Sequence, residues 1–588
     1  MKGLVDKPSS SAPWSVRWRL VVLVWMALLI AAPSLFWREI PERDSATYAL
    51  MTNEFAQGNY ARAFHPSTPP LLVTIGGSLA HLVSDPFRAN RIASILLFLL
   101  GIPGTFLLVK ELAGARIANV AAVLYAFCPQ ILYLATSGGV DAGKLSLLPW
   151  LTWAGLHWYR RQAVAWGMAV GALGALISLA RGEGIFFVIA VLCWYLIETA
   201  RQKPFRYGSM GRSLTSLVGA VAVMLLLLYP WLSYQRSQTG LWITHPTQLR
   251  IYAWLAVHNH WQQEMIVDNN AMEITATAEP ASPSTALATT QTKLSTPKGS
   301  PDPSVSRDVS PTVPPAESVD QRDNRKNVPW FKNLEKVAKG AFIPYLVLAV
   351  GGFVWRRSKD MPLRKRGGSL PLFLIALNLA IFYPTNIMAP RYVSATIPLF
   401  LHLSATGVLA CETTLQRWSF FTRRRLRLAA VAGIVILALL SQTQLDLFMP
   451  PHKRGEQLAL MRLGNWIRQH AHEFPAYGTL PSLSFYHNGR VPIMLETDGR
   501  LRYYARTDGL VLFSFYRYRP SQITTICRQG KVSVVAYDER MEALCPGFGQ
   551  YWRNDPSYVP VNLGQEKAKI PESSPVLLCF QADGGTPR

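Results

Sequence analysis

Residues 21–36 read VVLVWMALLIAAPSLF and form the first of many long apolar runs in this chain. A helix needs roughly 20 apolar residues to cross a bilayer, and runs near that length recur through most of the sequence. Half of the 588 residues are hydrophobic, 16% are charged, and the mean hydropathy is +0.15. This composition predicts a polytopic α-helical membrane protein whose first run is an uncleaved anchor.

The net charge of +24 comes from basic clusters that lie between the apolar runs. Cytoplasmic loops carry such clusters, so we expect contact with membrane lipids and no binding of nucleic acid. With every cluster inside, the N-terminus is cytoplasmic and the C-terminus outside. The eleven predicted spans are 19–37, 91–110, 117–136, 141–159, 164–180, 184–200, 213–234, 338–356, 369–385, 392–411 and 428–446.

Four regions follow from the distribution of apolar and polar residues. We predict a transmembrane core with an outer loop, a disordered Pro/Ser/Thr-rich insert, further transmembrane helices, and a soluble α/β domain on the extracytoplasmic side. Their respective ranges are 1–265 with the loop 38–90, 266–326, 327–446 and 447–588. Two short helices are expected in the outer loop, at about 44–56 and 69–83.

The tail after the last predicted span has a different composition from the rest of the chain. A helix-periodic stretch comes first, and apolar runs typical of strands follow it. These runs are LPSLSFYHNG at 480–489, LVLFSFYRY at 510–518, KVSVVAYDE at 531–539 and PVLLCFQ at 575–581. An oxidising compartment would permit a disulfide between Cys527 and Cys545, although a third cysteine in the tail leaves the pairing open.

Charged residues of both signs gather at the predicted outer ends of the spans. Carboxylates near a bilayer are costly and are often functional where they face a cavity. The alternative is that these side chains are solvated interfacial groups that pair with one another. The residues are Asp44, Asp141, Lys144, Arg181, Glu183 and Arg391.

Two other motifs have spacings that only partly match a ligand-binding pattern. GGVDAGKL at 138–145 nearly matches a nucleotide-binding P-loop, but Leu145 replaces the hydroxyl residue that would hold magnesium. The pair His258 and His260 has a spacing that is more often incidental than metal-binding. We therefore expect no metal site.

The order of several loose motifs resembles the GT-C superfamily of integral-membrane glycosyltransferases, in particular protein O-mannosyltransferases and lipid A aminoarabinose transferases. The motifs are RDSATYALMTNEFAQGNY at 43–60, HPSTPPLL at 65–72, NRIASILLFLLGIPGTFLLVKELAG at 90–114, ARGEGIFF at 180–187, RYVSATIPLF at 391–400 and LSFYHNGR at 483–490. They cover most of the chain outside the predicted disordered insert.

The resemblance implies an inverting transfer of a sugar from a polyprenyl-phosphate donor to a hydroxyl or amine acceptor on a protein, lipid or glycan. Asp44 would be the base, with no cofactor and no nucleotide sugar in the site. The enzyme would lie in a plasma membrane or bacterial inner membrane. The substrate and lipid-phosphate residues would come from His65, Asp141, Lys144, Arg181, Glu183, Arg391 and Tyr392.

The sequence departs from the family pattern at two positions in the outer loop. Thr68 stands before Pro69, where some relatives have a Lys or His, so either His65 has taken that role or the loop has a shifted register. Position 45 is Ser, where some relatives have a second acid. A transporter or flippase is the main alternative function, and a sensor or scaffold that uses the tail is another.

Overall fold

A computed structural model describes residues 13–37, 43–66, 68–201, 207–245, 337, 341–358, 368–382 and 390–416, with isolated positions and short strands beyond them. The predicted insert at 266–326, His258, His260 and the Cys527–Cys545 pair lie outside the described residues. So does nearly all of the last predicted span, 428–446.

The N-terminal part forms an anchor helix and an outer loop with short helices. The anchor is α1 (Pro13–Ala31), followed by α2 (Ser34–Trp37), and the loop carries α3 (Arg43–Ala56), α4 (Tyr60–Ala63) and α5 (Pro70–Ala80). Pro70 is the first residue of α5, a position where the missing N–H of proline costs nothing. The two predicted loop helices are therefore confirmed as α3 and α5.

Seven longer segments build the body of the described helices. They are α6 (Pro86–Ala113), α7 (Ala115–Ala126), α8 (Pro129–Thr136), α9 (Asp141–Arg161), α10 (Val164–Ala180), α11 (Gly184–Ala200) and α12 (Tyr207–Thr239). The Asp85 carboxylate caps α6 by accepting a hydrogen bond of 2.9 Å from the Phe87 N–H. The predicted span 117–136 is two helices, because Pro129 cannot continue the hydrogen-bond ladder of α7.

The remaining helices are α13 (Ile343–Ser358), α14 (Ser369–Phe382), α15 (Pro390–Ser394) and α16 (Ile397–Leu415). The predicted span 392–411 is therefore also interrupted, by a turn at residues 395–396. α13 packs along α16 at two glycines. A Cβ at Gly352 would lie 2.1 Å from the Leu403 carbonyl oxygen, and one at Gly407 would lie 2.1 Å from that of Leu348.

Two buried apolar clusters hold the helices together. One lies around α6, α7, α8 and α16, and Phe98, stacked on Tyr125 at 5.7 Å between ring centroids, is part of it. The other lies around α9, α10 and α11, where the Trp158 and Tyr195 rings stack at 3.6 Å.

The outer surfaces of several helices are apolar, as expected for contact with lipid. Leu226 on α12 is 73% exposed and Val347 on α13 is 65% exposed. Within the described residues, three helices are long and apolar enough to cross a membrane by themselves: Trp18–Phe36, Pro86–Ala113 and Gly211–Thr239. α7 and α8, bent by 51°, provide a fourth if they form one span.

Ten of the eleven predicted spans coincide with described helices. The segments 164–180 and 184–200 match α10 and α11 residue for residue. These helices are apolar but only 17 residues long, so length and composition do not by themselves make them spans. A helical protein of the membrane is thus established, while the count of eleven remains a prediction.

Short strands in the tail form one mixed sheet of five strands. They are β1 (Met494–Glu496), β2 (Leu510–Val511), β3 (Val534–Tyr537), β4 (Tyr558–Pro560) and β5 (Leu578–Ala582). Their order is β2-β1-β3-β5-β4, with β1 parallel to β2 and β3 and with β5 antiparallel to β3 and β4. Three predicted runs contain β2, β3 and β5. A soluble, extracytoplasmic domain over 447–588 remains a prediction.

Candidate functional site

Three carboxylates lie at the N-terminal ends of three helices. Asp44 is in the first turn of α3, Asp141 is the first residue of α9, and Glu183 directly precedes α11. A helix N-terminus carries partial positive charge from its unpaired N–H groups, which favours a carboxylate there. The fold thus explains how this membrane protein tolerates three acids close together.

Four charged side chains form a buried network between α9 and the α10–α11 turn. Arg181 Nη1 donates to Asp141 Oδ1 at 2.5 Å, and Arg181 Nε donates to Glu183 Oε1 at 2.6 Å. The Lys144 Nζ atom also donates to Glu183 Oε1, at 3.3 Å. The side chains of these residues are 2–11% exposed. We refer to Asp141, Lys144, Arg181 and Glu183 as the buried network.

The pKa of Glu183 reflects this arrangement. Burial alone would raise the pKa of the Glu183 carboxyl, but the positive charges of Arg181 and Lys144 outweigh burial and lower the pKa from 4.5 to about 2. Glu183 is therefore ionised at neutral pH. Its carboxylate pairs with both Arg181 and Lys144 and is therefore not available as an acid or base.

A second charged group lies at the same end of the bundle and is open to solvent. Arg391 Nη1 donates to Asp44 Oδ2 at 2.6 Å, and the two side chains are 42% and 49% exposed. We refer to Asp44 and Arg391 as the exposed pair. α15 supplies the arginine and α3 the aspartate, from positions 347 residues apart in the sequence.

Tyr392 connects the exposed pair with the buried network. The Arg181 Cζ atom lies 5.0 Å from the centroid of the Tyr392 ring, and the Arg391 Cζ atom lies 5.6 Å from it. Such contacts between a guanidinium and an aromatic face are attractive and orient the cation. A chain of pairwise contacts thus links seven of the eight predicted site residues.

Ser45 fixes the start of α3 against the turn that precedes α9. Its hydroxyl donates to the Ser137 carbonyl oxygen at 2.7 Å, and both side chains are buried. Gly138 follows with a φ of 73°, which favours glycine. The first two glycines of the P-loop-like motif therefore lie in the connection between α8 and α9. Lys144 is buried against Glu183, and its Nζ atom lies 4.9 Å from the Phe187 ring centroid.

His65 lies in the loop between α4 and α5. α12 holds its loop, because Tyr234 and Gln235 donate to the carbonyl oxygens of Phe64 and Pro66, each at 2.7 Å. Burial, with a smaller contribution from His245, lowers the pKa of His65 to about 4. The imidazole is therefore uncharged at neutral pH, so it can offer a hydrogen bond but not the positive charge that the sequence suggested.

Tyr48 belongs to the site and was missed as a candidate. It lies one helical turn after Asp44, and burial raises the pKa of its phenol despite the opposing charge of Arg181. Asp44, Asp141 and Arg391 also act on it electrostatically. The spacing of four residues on a helix puts Tyr48 on the same face as Asp44, and this spacing could have identified it from the sequence.

No group of three metal-binding side chains among His, Cys, Asp and Glu comes together in the part of the chain that the structure describes. The site in this part instead combines three fixed cations with three carboxylates.

Comparison with known proteins gives one partial family match and several shared folds. Residues 65–234 match the family model of dolichyl-phosphate-mannose-protein mannosyltransferases. The match includes His65 and the whole buried network, whereas Asp44 and Arg391 lie outside it. No curated protein sequence matches the chain.

Three solved structures share the fold. ArnT from Cupriavidus metallidurans is 15% identical, with 96% of this chain and 98% of that chain covered and a TM-score of 0.57. The same protein bound to undecaprenyl phosphate is 16% identical, with 95% of this chain and 97% of that chain covered and a TM-score of 0.54. The Archaeoglobus fulgidus oligosaccharyltransferase, in a complex with Zn and sulfate, is 16% identical, with 92% of this chain and 72% of that chain covered and a TM-score of 0.56.

These findings confirm the resemblance predicted from the sequence. Residues 65–234 carry the mannosyltransferase family pattern, and the chain shares its fold with ArnT and the archaeal oligosaccharyltransferase. The transporter alternative gains no support from the comparisons.

Proposed function

We propose that this enzyme moves a sugar from a polyprenyl-phosphate carrier to a hydroxyl or amine acceptor at the outer surface of the membrane. The exposed pair carries the proposal: a half-exposed carboxylate, Asp44, lies 2.6 Å from a half-exposed guanidinium, Arg391, above a buried charged network. A base and a phosphate-binding cation side by side are what this reaction requires.

Asp44 is the proposed general base. An acceptor hydroxyl is a weak nucleophile until its proton is removed in the transition state, and a positioned carboxylate can accept that proton. The oxygen then forms a bond to the anomeric carbon from the side opposite the phosphate, and the bond from this carbon to the phosphate oxygen breaks. Inversion at the anomeric carbon follows from this geometry.

Arg391 is the proposed phosphate ligand, because the departing lipid phosphate must have its growing negative charge offset. Arginine suits this role through its planar set of N–H donors, which match phosphate oxygens. Tyr392 contacts the guanidinium groups of both Arg391 and Arg181 and orients them. We assign His65 a neutral hydrogen-bonding role at the edge of the site.

The fixed cations support a reaction that needs no divalent metal and no cofactor. This part of the proposal is tested by adding EDTA to the purified enzyme, and we expect turnover to be unchanged. A loss of turnover that Mg²⁺ or Mn²⁺ restores would contradict it.

The donor class is supported by what related folds bind. ArnT has been solved with undecaprenyl phosphate, and the archaeal oligosaccharyltransferase has been solved tethered to an acceptor peptide. We propose a polyprenyl-phosphate sugar as donor for this chain and a protein, lipid or envelope glycan as acceptor.

The proposed topology has eleven spans in a plasma or bacterial inner membrane, with the N-terminus cytoplasmic and the tail domain periplasmic. Asp44 would then face outward. A cysteine placed at position 44 should react with a membrane-impermeant thiol reagent in intact cells. Labelling only after permeabilisation would contradict this orientation.

The decisive experiment uses purified full-length protein with radiolabelled polyprenyl-phosphate sugars and candidate acceptors. We expect label to move to one acceptor class, and we expect the Asp44→Asn variant to fold but not transfer. Full transfer by a folded Asp44→Asn protein would remove the base assignment. Uptake of substrate into sealed vesicles without transfer would instead favour the transporter alternative.

A further inference from the structure

The exposed pair is the natural place to look for a change on substrate binding. Asp44 Oδ2 accepts from Arg391 Nη1 at 2.6 Å, so the proposed base already has a strong charge-assisted partner. A carboxylate held in this way has one oxygen occupied. Separation from Arg391 would leave both oxygens and the full negative charge of Asp44 available to an acceptor proton.

Among the residues that the structure describes, three cations of the site are engaged by carboxylates. Lys144 pairs with Glu183, Arg181 pairs with both Asp141 and Glu183, and Arg391 pairs with Asp44. The three positive charges of Lys144, Arg181 and Arg391 balance the three negative charges of Asp44, Asp141 and Glu183. An incoming lipid phosphate therefore has to draw one cation away from its present partner.

The cost of releasing each cation differs because their exposure differs. The side chains of Lys144 and Arg181 are 2% and 11% exposed, and removing either would leave a buried carboxylate short of a counter-charge. Arg391 is 42% exposed, and its partner Asp44 is 49% exposed, so water can solvate both when they separate. Arg391 is the cation of this site that a phosphate can redirect.

We propose that Arg391 exchanges partners when the donor binds, leaving Asp44 for the lipid phosphate and thereby freeing the Asp44 carboxylate to act as base. This inference rests on the proposed function, since it takes a polyprenyl phosphate as the ligand. The Tyr392 ring remains in contact with the guanidinium and limits how far Arg391 moves. The base is masked in the empty enzyme and becomes available only with the donor in place.

The exchange predicts a competition that can be measured without turnover. Undecaprenyl phosphate without a sugar, in detergent micelles, serves as the probe for direct binding. The Asp44→Asn variant lacks the competing charge, so it should bind roughly fivefold more tightly than the wild type. Arg391→Gln should bind more weakly, and the double variant should bind like Arg391→Gln alone, within about twofold.

The double variant separates exchange from simple repulsion. If Asp44→Asn tightens binding equally in the Arg391→Gln background, the carboxylate only repels the phosphate and the exchange is overturned. No tightening in the single variant overturns it as well. Both side chains are half exposed, so the variants should fold, and a melting temperature measured for each protein checks this.

A matched control comes from another exposed ion pair. Arg116 Nη2 and Glu412 Oε2 lie 3.3 Å apart, between the start of α7 and the end of α16, away from the site. Glu412→Gln should leave the affinity for undecaprenyl phosphate unchanged. If the wild type transfers sugar but the effects of Asp44→Asn and Arg391→Gln on lipid binding are additive, only the exchange is contradicted. If the wild type neither binds the lipid nor transfers sugar, the proposed function itself is contradicted.

Discussion

The buried network and the exposed pair contain the same kinds of side chain but differ in what surrounds them. Arg181 contacts two carboxylates and is 11% exposed, whereas Arg391 contacts one and is 42% exposed. Separating a buried ion pair leaves an unsolvated charge, while an exposed pair separates at little cost. Arginine–carboxylate pairing thus stabilises the fold in the buried network, whereas in the exposed pair it can be broken and re-formed during function.

The sharpest test of this difference is the loss of the Asp44 carboxylate. Asp44→Asn should lower turnover by at least about 100-fold, because a positioned base contributes on the order of 10²–10⁴ in rate. The melting temperature should stay close to that of the wild type. Initial rates with labelled donor and differential scanning fluorimetry measure the two effects.

Glu54 provides the matched control for that substitution. It lies on the same helix as Asp44 and bonds to Asn59 at 3.1 Å on an exposed surface. Glu54→Gln should therefore keep its turnover. If the two variants lose activity equally, α3 tolerates no change of charge and Asp44 has no special role.

Glu183→Gln should show the opposite pattern, with a loss of stability that depends on pH. Removing one partner from a buried charged group costs about 3–5 kcal/mol. The pKa of Glu183 is lowered from 4.5 to about 2 in the folded protein, so its stabilising effect is complete above pH 4.5. The effect disappears as the pH falls toward 2, because the folded protein must then also bind the proton.

Thermal unfolding in detergent between pH 7 and pH 3 measures this dependence. The gap in melting temperature between the wild type and Glu183→Gln should be largest at neutral pH and should narrow in acid. A gap that is constant across this range would mean that Glu183 does not act through its charge.

Gly182→Ala should disturb the connection between the buried network and the histidines. A Cβ at this position would lie 2.0 Å from the Cβ of His245, so a backbone or loop must move. We expect a destabilisation of about 1–3 kcal/mol, typical of overpacking, measured by thermal unfolding. Gly211→Ala on α12 is the control, because nothing lies within 4 Å of a Cβ there and the melting temperature should not fall.

The smallest predicted effect is that of Ser45→Ala. The variant loses the 2.7 Å hydrogen bond to the Ser137 carbonyl and about 1 kcal/mol of stability. Because this bond fixes the start of α3, turnover should fall several-fold with little change in donor affinity. Ser78→Ala, which removes an exposed bond within α5, should change neither quantity.

The helices could be predicted from the sequence because long apolar runs dictate them. The bounds of α10 and α11 follow from where those runs begin and end. The interruption between α7 and α8 was missed, although Pro129 marks it, because the apolar pattern continues across the break. The turn at residues 395–396 was missed for the same reason.

The site was predictable in composition but not in organisation. The sequence placed Asp44, Asp141 and Glu183 at one membrane face, and the structure brings them together. Which acid is buried depends on how α9, α10 and α11 pack, and a single sequence does not encode that as a local pattern. In the structure Glu183 pairs with two cations, and its predicted role in binding substrate stays a prediction.

The reciprocal glycine contacts between α13 and α16 restrict how α16, which directly follows the helix of Arg391, can move. Gly352 and Gly407 each press against the backbone of the opposite helix, so neither helix can slide along the other without a steric collision. A displacement of Arg391 together with α16 would therefore require α13 to move as well. A displacement confined to α15, the five-residue helix that carries Arg391, would leave the contact between α13 and α16 in place.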